Sequence, residues 1–329
     1  MIKDISSPPP GPGPGLHPGH GFLARITLSV ALLSCTFPSY TQKSIRLSSP
    51  DKTLSFEWKV TDAAGLYSVS YKGRELIGGS PLSLSFKGQP DFREHLTTGT
   101  PVFKDGEEDY SLIVGKTSHV HDKYRELSIP LKEKTSPFRE ITLVVRAFNA
   151  GVAFRYEFPK GNIGPLLELT AENTSFNLQG DPTIRALLFP DFTSSHEGEY
   201  NIVPLHALAA DTLVDMPALF EFPGKVYMAI TEAALLDYAG MYLTKHNGML
   251  TSRLSPLPGQ SGASANGASA NGASANGASS GSASISPSVG APANARLLCV
   301  EAALLHHSPW RVLLISDRIG ALIESNVIT

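Results

Sequence analysis

Residues 146–159 read Arg-Ala-Phe-Asn-Ala-Gly-Val-Ala-Phe-Arg-Tyr-Glu-Phe-Pro. Apolar residues recur at every second position on both sides of Asn149-Ala150-Gly151, from Ile141 before it to Phe158 after it. This period is typical of two β-strands that each bury one face. Asn and Gly can adopt the positive φ angles that many tight turns require. The stretch therefore predicts a β-hairpin with its turn at residues 149–151.

The same pattern continues along much of the chain. Alternating apolar residues mark further strands at 54–60, 82–86 and 110–114, and glycines separate them at short intervals. This spacing is typical of antiparallel β-structure. Helix-like periodicity is best in one short stretch, Thr231 to Tyr238. The sequence therefore predicts an all-β fold, an antiparallel sandwich.

Charge and cysteine content narrow the functional classes. The 329 residues include 27 Lys and Arg against 30 Asp and Glu, with no basic cluster, so we expect no nucleic-acid partner. Cys35 and Cys299 are the only cysteines, so we expect no disulfide framework.

The N-terminal residues predict a leader rather than part of the fold. Residues 1–21 are dominated by Pro and Gly, and we expect them to be disordered because they have little to bury. Residues 22–42 contain an apolar run, Phe22 to Cys35, that is short for a transmembrane span and fits a signal peptide. Cleavage near Ser39 to Thr41 would give a secreted or periplasmic protein, whereas a lipobox at residues 32–35 would make it a lipoprotein through Cys35. A buried helix and a misassigned start codon are the remaining alternatives.

A low-complexity tract interrupts the domain predicted for residues 43–329. Residues 262–279 repeat Gly-Ala-Ser-Ala-Asn three times within a wider Ser, Gly, Ala and Pro tract at 256–294. This composition cannot bury enough apolar area to offset the entropy of ordering, so we expect a flexible surface loop. We expect the strand after it, Arg296 to Leu304, to pair with the strand before it.

The hairpin sequence resembles a central motif of the N-terminal domain of glycoside hydrolase family 97, a bacterial family of α-glucosidases and α-galactosidases. Ala150 stands where the family motif has Asp. The resemblance implies a β-supersandwich similar to the galactose-mutarotase-like fold, and it spans residues 45–329. Further motifs in the family order are Ser49-Pro50-Asp51, Gly65–Val69, Lys72-Gly73, Ser80–Leu84, Ile230–Ala233, Asp237–Gly240, Pro309–Arg311, Ile315–Asp317 and Glu324–Asn326. The resemblance marks six residues as structural: Asn149, Gly151, Arg155, Tyr156, Trp310 and Arg311. We expect Trp310 to pack the sandwich and Arg311 to anchor a domain junction.

The same resemblance implies a function that is shared between two domains. It places the two catalytic carboxylates in a (β/α)8 barrel C-terminal to this domain, so we expect no catalytic residue in this chain. The expected partners are that missing barrel and an α-linked oligosaccharide or polysaccharide. Whether the enzyme would be a glucosidase or a galactosidase, and retaining or inverting, stays open because those determinants lie in the barrel.

The resemblance further implies that the N-terminal domain donates one carboxylate to an active-site calcium. Residues 195–200, Ser-His-Glu-Gly-Glu-Tyr, align with a Tyr-Glu-x-x-Tyr-like motif. This places Glu197 at the calcium position and Tyr200 at the second aromatic, while His196 replaces the first aromatic. Glu199 is a competing assignment, and a solvated acidic loop is the alternative interpretation. Calcium binds about six to eight oxygens, so we expect it only when the barrel is present.

Other residues favour a structural interpretation. His119 and His121 share one face at strand spacing and could bind a metal, but with no third ligand nearby exposed strand residues are the preferred interpretation. Two alternative functions stay open: a stand-alone carbohydrate-binding β-sandwich without catalytic activity, and a degenerate remnant of the family. If the barrel normally covers the domain, we also expect an exposed apolar patch between Trp310 and Ile328, and association of the isolated domain.

Overall fold

The computed structural model describes residues 44–258 and 297–327. Within these ranges the chain forms 23 β-strands, one 3-10 turn at Leu205–Ala207 and one short helix, α1 (Ile319–Glu324). The predicted all-β fold is therefore confirmed. The strands are β1 (Ile45–Ser48), β2 (Leu54–Val60), β3 (Gly65–Tyr71), β4 (Arg74–Leu82), β5 (Leu84–Phe86), β6 (Leu96–Thr98), β7 (Val102–Ser111), β8 (His119–Glu133), β9 (Glu140–Phe148), β10 (Gly151–Phe158), β11 (Leu166–Glu172), β12 (Ser175–Phe176), β13 (Thr183–Ala186), β14 (Leu188–Phe189), β15 (Asn201–Pro204), β16 (Leu213–Val214), β17 (Ala218–Phe222), β18 (Val226–Ala233), β19 (Met241–His246), β20 (Met249–Leu254), β21 (Val300–Ala303), β22 (His306–His307) and β23 (Trp310–Ser316).

These strands form four antiparallel sheets. The largest has the order β15-β13-β17-β18-β23-β10-β9-β8-β6, with β7 added beside β8 and β22 beside β10. The others are β1-β2-β3-β4, β21-β11-β5 and β12-β20-β19-β16-β14. One apolar core includes side chains from all four sheets. The ring of Phe154 in the largest sheet lies 5.1 Å from Tyr67 and 6.3 Å from Phe56 in the first sheet, as expected for a sandwich.

The predicted hairpin is present, but its turn works differently from the expectation. Strands β9 and β10 pair with Ala147 opposite Val152, and Asn149-Ala150 forms the connection. Neither Asn149 nor Gly151 has a positive φ. Gly151 is required because β23 approaches closely: a Cβ at this position would lie 2.5 Å from the carbonyl oxygen of Leu313.

Asn149 and Ala150 tie the hairpin to its neighbours. The side-chain oxygen of Asn149 accepts a hydrogen bond from the backbone amide of Asp51 at 3.0 Å. The carbonyl of Ala150 accepts one from the amide of Ile315, also at 3.0 Å. The motif therefore joins the β1–β2 loop of the first sheet, the hairpin and β23.

Two local expectations are wrong. The strand marked at 110–114 ends early, because β7 stops at Ser111 and the chain bends at residues 113–116 before β8 begins. The strand that follows the low-complexity tract, β21, pairs with β11 rather than with β20. The reason is that both edges of β20 are already occupied, by β19 and by β12.

The predictions for residues 1–21, for the signal peptide at 22–42 with Cys35, and for most of the 256–294 tract lie outside the described residues. Residues on either side of the undescribed part of that tract are hydrogen-bonded, since the amide of Leu257 donates to the carbonyl of Leu298 at 2.8 Å. In the described part of the chain, no helix is long and apolar enough to cross a membrane.

The expected apolar patch near the C-terminal end is smaller than predicted. Leu313 and Ile315 lie in the core, and Leu322 on α1 is buried against the outer face of the largest sheet. Ile319 and Ile323 are 46% and 76% exposed. The pairing of β23 with both β10 and β18 explains why most of this segment is covered.

We expect Gly151→Ala to lower the free energy of unfolding by about 1–3 kcal/mol, because the added methyl must displace the backbone of β23. Urea denaturation measures this change. Gly320→Ala is the matched control, since a Cβ there meets nothing within 4 Å. Equal stability of the two variants would contradict the assigned role of Gly151.

Candidate functional site

The loop at residues 190–200 carries the predicted calcium ligand and connects β14 to β15. A turn centred on Asp191 opens it. The carboxylate of Asp191 accepts hydrogen bonds from the amide and hydroxyl of Thr193 at 2.9 and 2.8 Å, and from the hydroxyl of Ser194 at 3.1 Å. The hydroxyl of Thr193 holds the pKa of Asp191 below its ordinary value. This turn gives the start of the loop a defined conformation.

His196 anchors the middle of the loop. Its Nδ1 lies 3.0 Å from a carboxylate oxygen of Asp215, and its Nε2 lies 3.2 Å from the hydroxyl of Tyr242. The ring also packs edge-on against Phe189, with 5.0 Å between centroids. His196 thus retains the aromatic packing expected at this position and adds two polar contacts. Sequence reasoning missed Asp215 and Tyr242, which lie 19 and 46 residues away.

Glu197 lies directly beside this anchor and is exposed, as are Glu199 and Tyr200. Its amide donates to the hydroxyl oxygen of Ser195 at 3.2 Å, so the backbone around it is held locally. The structure therefore presents the Glu197 carboxylate to the outside of the domain from a fixed loop. This geometry is compatible with both a metal ligand and a solvated acidic loop.

The donor set limits what this loop can hold by itself. Carboxylate oxygens suit calcium, which binds about six to eight oxygens. Among residues 44–258 and 297–327, no three His, Cys, Asp or Glu side chains form a group that could hold a metal. An exposed carboxylate such as that of Glu197 has the chemistry of a single calcium ligand.

His119 and His121 face acidic residues across the β7–β8 pair. His119 lies 3.1 Å from Asp109, and His121 lies 3.2 Å from Glu107 and 3.3 Å from Asp109. All four side chains are substantially exposed. This arrangement agrees with the preferred interpretation of exposed strand residues.

Arg311, one of the motif residues, lies at the centre of a buried polar network. Its guanidinium donates to both carboxylate oxygens of Glu172 at 2.8 and 2.7 Å, and to Glu232 at 2.5 Å. The side chains of Arg311 and Glu172 are fully buried. These contacts join β23, β11 and β18 inside the domain.

Further hydrogen bonds complete the environment of Glu172. The hydroxyls of Tyr238 and Thr174 donate to its two oxygens at 2.9 and 2.8 Å, and Tyr156 lies 2.9 Å from Thr174. Burial raises the pKa of both tyrosines, so the phenols remain protonated. Tyr238, which is half-buried, therefore belongs to this polar network.

Charge and burial compete in this network. Burial alone would lower the pKa of Arg311, but the charge of Glu172, the hydrogen bonds to it and the charge of Glu232 outweigh burial and raise that pKa. Burial raises the pKa of Glu232, and Arg311 opposes the shift. Arg311 is thus a permanent cation held by carboxylates, as a buried charge must be.

Trp310 points to the opposite face of β23 from Arg311 and lies on the outer face of the largest sheet. The centroid of its ring lies 4.5 Å from the guanidinium of Arg155 and 4.9 Å from that of Arg146. Both arginines also pair with carboxylates, Arg155 with Glu157 and Arg146 with Glu126, each at 2.7 Å. Trp310 therefore packs a second, smaller apolar cluster rather than the main core.

Comparisons with known proteins identify the family to which the sequence is similar. The sequence model of the family described as "Glycosyl-hydrolase 97 N-terminal" matches residues 47–329. A retaining alpha-galactosidase of Bacteroides thetaiotaomicron is 24% identical over 247 residues, covering 72% of this chain and 36% of that protein.

Two solved structures share the fold. A glycoside hydrolase family 97 enzyme from Pseudoalteromonas sp. strain K8, in complex with panose, matches with a TM-score of 0.70 and 23% identity over 86% of this chain and 37% of that one. A beta-arabinopyranosidase matches with a TM-score of 0.64 and 20% identity over 83% and 40% of the two chains. The chain thus spans between 36% and 40% of the length of these relatives.

We expect Glu172→Gln to lower the free energy of unfolding by about 3–5 kcal/mol, because it removes the main counter-charge of a fully buried guanidinium. Glu168→Gln, on the same strand, is the control, since the Lys87–Glu168 pair lies at the surface, where solvent screens it and its loss changes stability little. Urea denaturation of both variants tests this. Similar losses in the two would show that the buried network does not stabilise the fold.

Proposed function

The chain belongs to the glycosyl-hydrolase 97 N-terminal family, and on this basis we propose that it is the N-terminal domain of a glycoside hydrolase that acts on α-glucosides or α-galactosides. In this proposal the domain packs beside a C-terminal catalytic barrel and supports its active site. It also donates Glu197 to a calcium ion. The protein acts outside the cytoplasm, as the apolar stretch at residues 22–35 favours a secretory signal.

The observation that carries the proposal is the fixed, exposed position of Glu197. A carboxylate that contributes to a site in a neighbouring domain must be presented at the surface, and Glu197 is. It must also be held in place, since loss of a ligand's orientation weakens metal binding. The contacts of His196 with Asp215 and Tyr242, next to Glu197 in the chain, supply that constraint.

The chemistry of the proposal divides between the domains. Glycoside hydrolysis needs a proton donor and a second carboxylate across the scissile bond, and both belong to the barrel. Calcium, when bound, supplies positive charge that stabilises charge developing on oxygen. The residues of this chain hold one carboxylate ligand of that ion: His196 and the turn at Asp191 position the loop, and Glu197 contributes the oxygen.

The relatives support the choice of α-linked sugars. One is named a retaining alpha-galactosidase, and another was solved in complex with panose. The neutral or acidic balance of this chain, with 27 basic and 30 acidic residues, suits an uncharged polysaccharide better than a polyanion.

The first experiment is to sequence the genomic DNA through and beyond codon 329 and to express the longer reading frame. Hydrolysis of p-nitrophenyl α-glucoside and α-galactoside is then measured while calcium is titrated. We expect Glu197→Gln to weaken calcium activation by roughly tenfold or more, because it removes a charged ligand. Glu199→Gln is the matched control and is expected to behave as the wild type.

Three results would contradict the proposal in different ways. The reverse pattern, with Glu199→Gln impaired and Glu197→Gln normal, would move the calcium ligand to Glu199. Hydrolysis that does not depend on calcium would remove the metal role of this loop. A stop codon after Thr329 with no barrel encoded nearby would remove the hydrolase assignment.

A further inference from the structure

Three loops of the sandwich meet around an open cleft that is separate from the Glu197 loop. They are the β5–β6 loop at residues 87–95, the β8–β9 loop at 134–139 and the β10–β11 loop at 159–165. The cleft has a volume of about 380 Å³. This lies within the range of roughly 300–1,000 Å³ that is usual for small-molecule sites.

The lining of the cleft mixes polar and apolar groups and is uncharged. Gln89, Ser136 and Asn162 supply amide and hydroxyl groups, and Pro90 and Pro137 supply apolar surface. None of the residues that line it carries a charge. An ionised ligand would lose water here without gaining a counter-charge, so the lining favours a neutral ligand. Amides and hydroxyls that both donate and accept suit a molecule with several hydroxyl groups.

Side-chain hydrogen bonds hold the three loops together. Gln89 donates to the carbonyl of Ile163 at 3.1 Å, and Asn162 donates to the carbonyl of Phe138 at 3.3 Å. Beneath them, the fully buried guanidinium of Arg139 donates to the carbonyl of Pro90 at 2.8 Å. Loops fixed in this way lose little freedom when a ligand binds.

Arg139 is itself fixed from below, which makes the base of the cleft rigid. It donates to the carboxylate of Glu133 at 2.5 and 2.9 Å, and its guanidinium lies 4.5 Å from the centroid of Phe86. The positive charge is therefore neutralised inside the domain and is not offered to the cleft.

Phe138, which directly follows Pro137 in the lining, is an unexpected residue at its position. Its φ is 60°, in the left-handed region where a bulky residue is an outlier. Its side chain is 48% exposed. Neither the backbone, which glycine would satisfy with less strain, nor the core explains a phenylalanine here. Strain of this kind at a loop site is a reason to look for function.

We propose that this loop cleft, with Phe138 beside it, binds one ring of an α-linked glucose oligosaccharide. The face of the Phe138 ring would pack against the C–H face of the sugar. Gln89, Ser136 and Asn162 would bond its hydroxyl groups. The choice of α-linked glucose rests on the proposed function, whereas the preference for a neutral polyhydroxyl ligand follows from the cleft itself.

The test is isothermal titration calorimetry of the full chain with maltotriose in the presence of EDTA. We expect saturable binding by the wild type and at least tenfold weaker binding by Phe138→Gly. Leu305→Gly is the matched control, because Leu305 also has a positive φ, 69°, and is 67% exposed, but lies in another loop. Its binding is expected to equal that of the wild type.

Thermal denaturation separates a binding role from a structural one. Since glycine adopts positive φ without strain, both glycine variants are expected to melt no lower than the wild type. Absence of saturable binding by the wild type would overturn the proposal, and so would equal binding by Phe138→Gly. A lower melting temperature for Phe138→Gly alone would show that the ring serves the fold instead.

Glu197→Gln keeps this test distinct from that of the proposed function. We expect this variant to bind maltotriose as the wild type does, because the cleft is formed by other loops and calcium is absent. If Glu197→Gln lost maltotriose binding while Phe138→Gly kept it, the sugar would bind at the Glu197 loop. That result would overturn the cleft proposal and leave the proposed function standing. If calcium did not activate hydrolysis, the proposed metal role of Glu197 would fail, but maltotriose binding at the cleft would not change.

Discussion

A buried ion pair between Arg311 and Glu172 constrains the whole domain. Arg311 belongs to β23 in the largest sheet, whereas Glu172 belongs to β11 in the three-stranded sheet. Two charges without access to water are tolerated only when their geometry satisfies every donor and acceptor. The bidentate contact, together with Glu232 and the hydroxyls of Thr174 and Tyr238, meets that condition. The ion pair therefore fixes the positions of the two sheets relative to each other, because a shift of either sheet would leave a buried charge unpaired.

The loop of the candidate site also runs between two sheets. It leaves β14 in the five-stranded sheet and enters β15 at the edge of the largest one. Asp215, just after β16, and Tyr242, on β19, hold His196 from the five-stranded sheet. These contacts hold the residue that precedes Glu197 in the chain. The uncharged cleft is formed by a different set of loops.

Local patterns predicted a large part of this structure. The period of two around residues 146–159 predicted the β9–β10 hairpin, and similar patterns predicted β2 and the all-β class. The motifs also led to Glu197 and to the family. Local patterns were wrong at residues 112–114, which lie beyond the end of β7, and for the partner of β21, whose neighbour is chosen by which sheet edge is free. The reason for Gly151 was also missed, since its close contact comes from a strand more than 150 residues away.

By itself, then, the sequence determined the all-β class, the hairpin and the family, because side-chain alternation and ordered motifs are properties of neighbouring residues. Only the tertiary structure decided the partners of Arg311, the anchors of His196 and the cleft beside Phe138. Glu172 and Arg311 are 139 residues apart, and His196 and Tyr242 are 46 apart. No local pattern records such contacts, because they form only when separate sheets pack and buried polar groups must find partners.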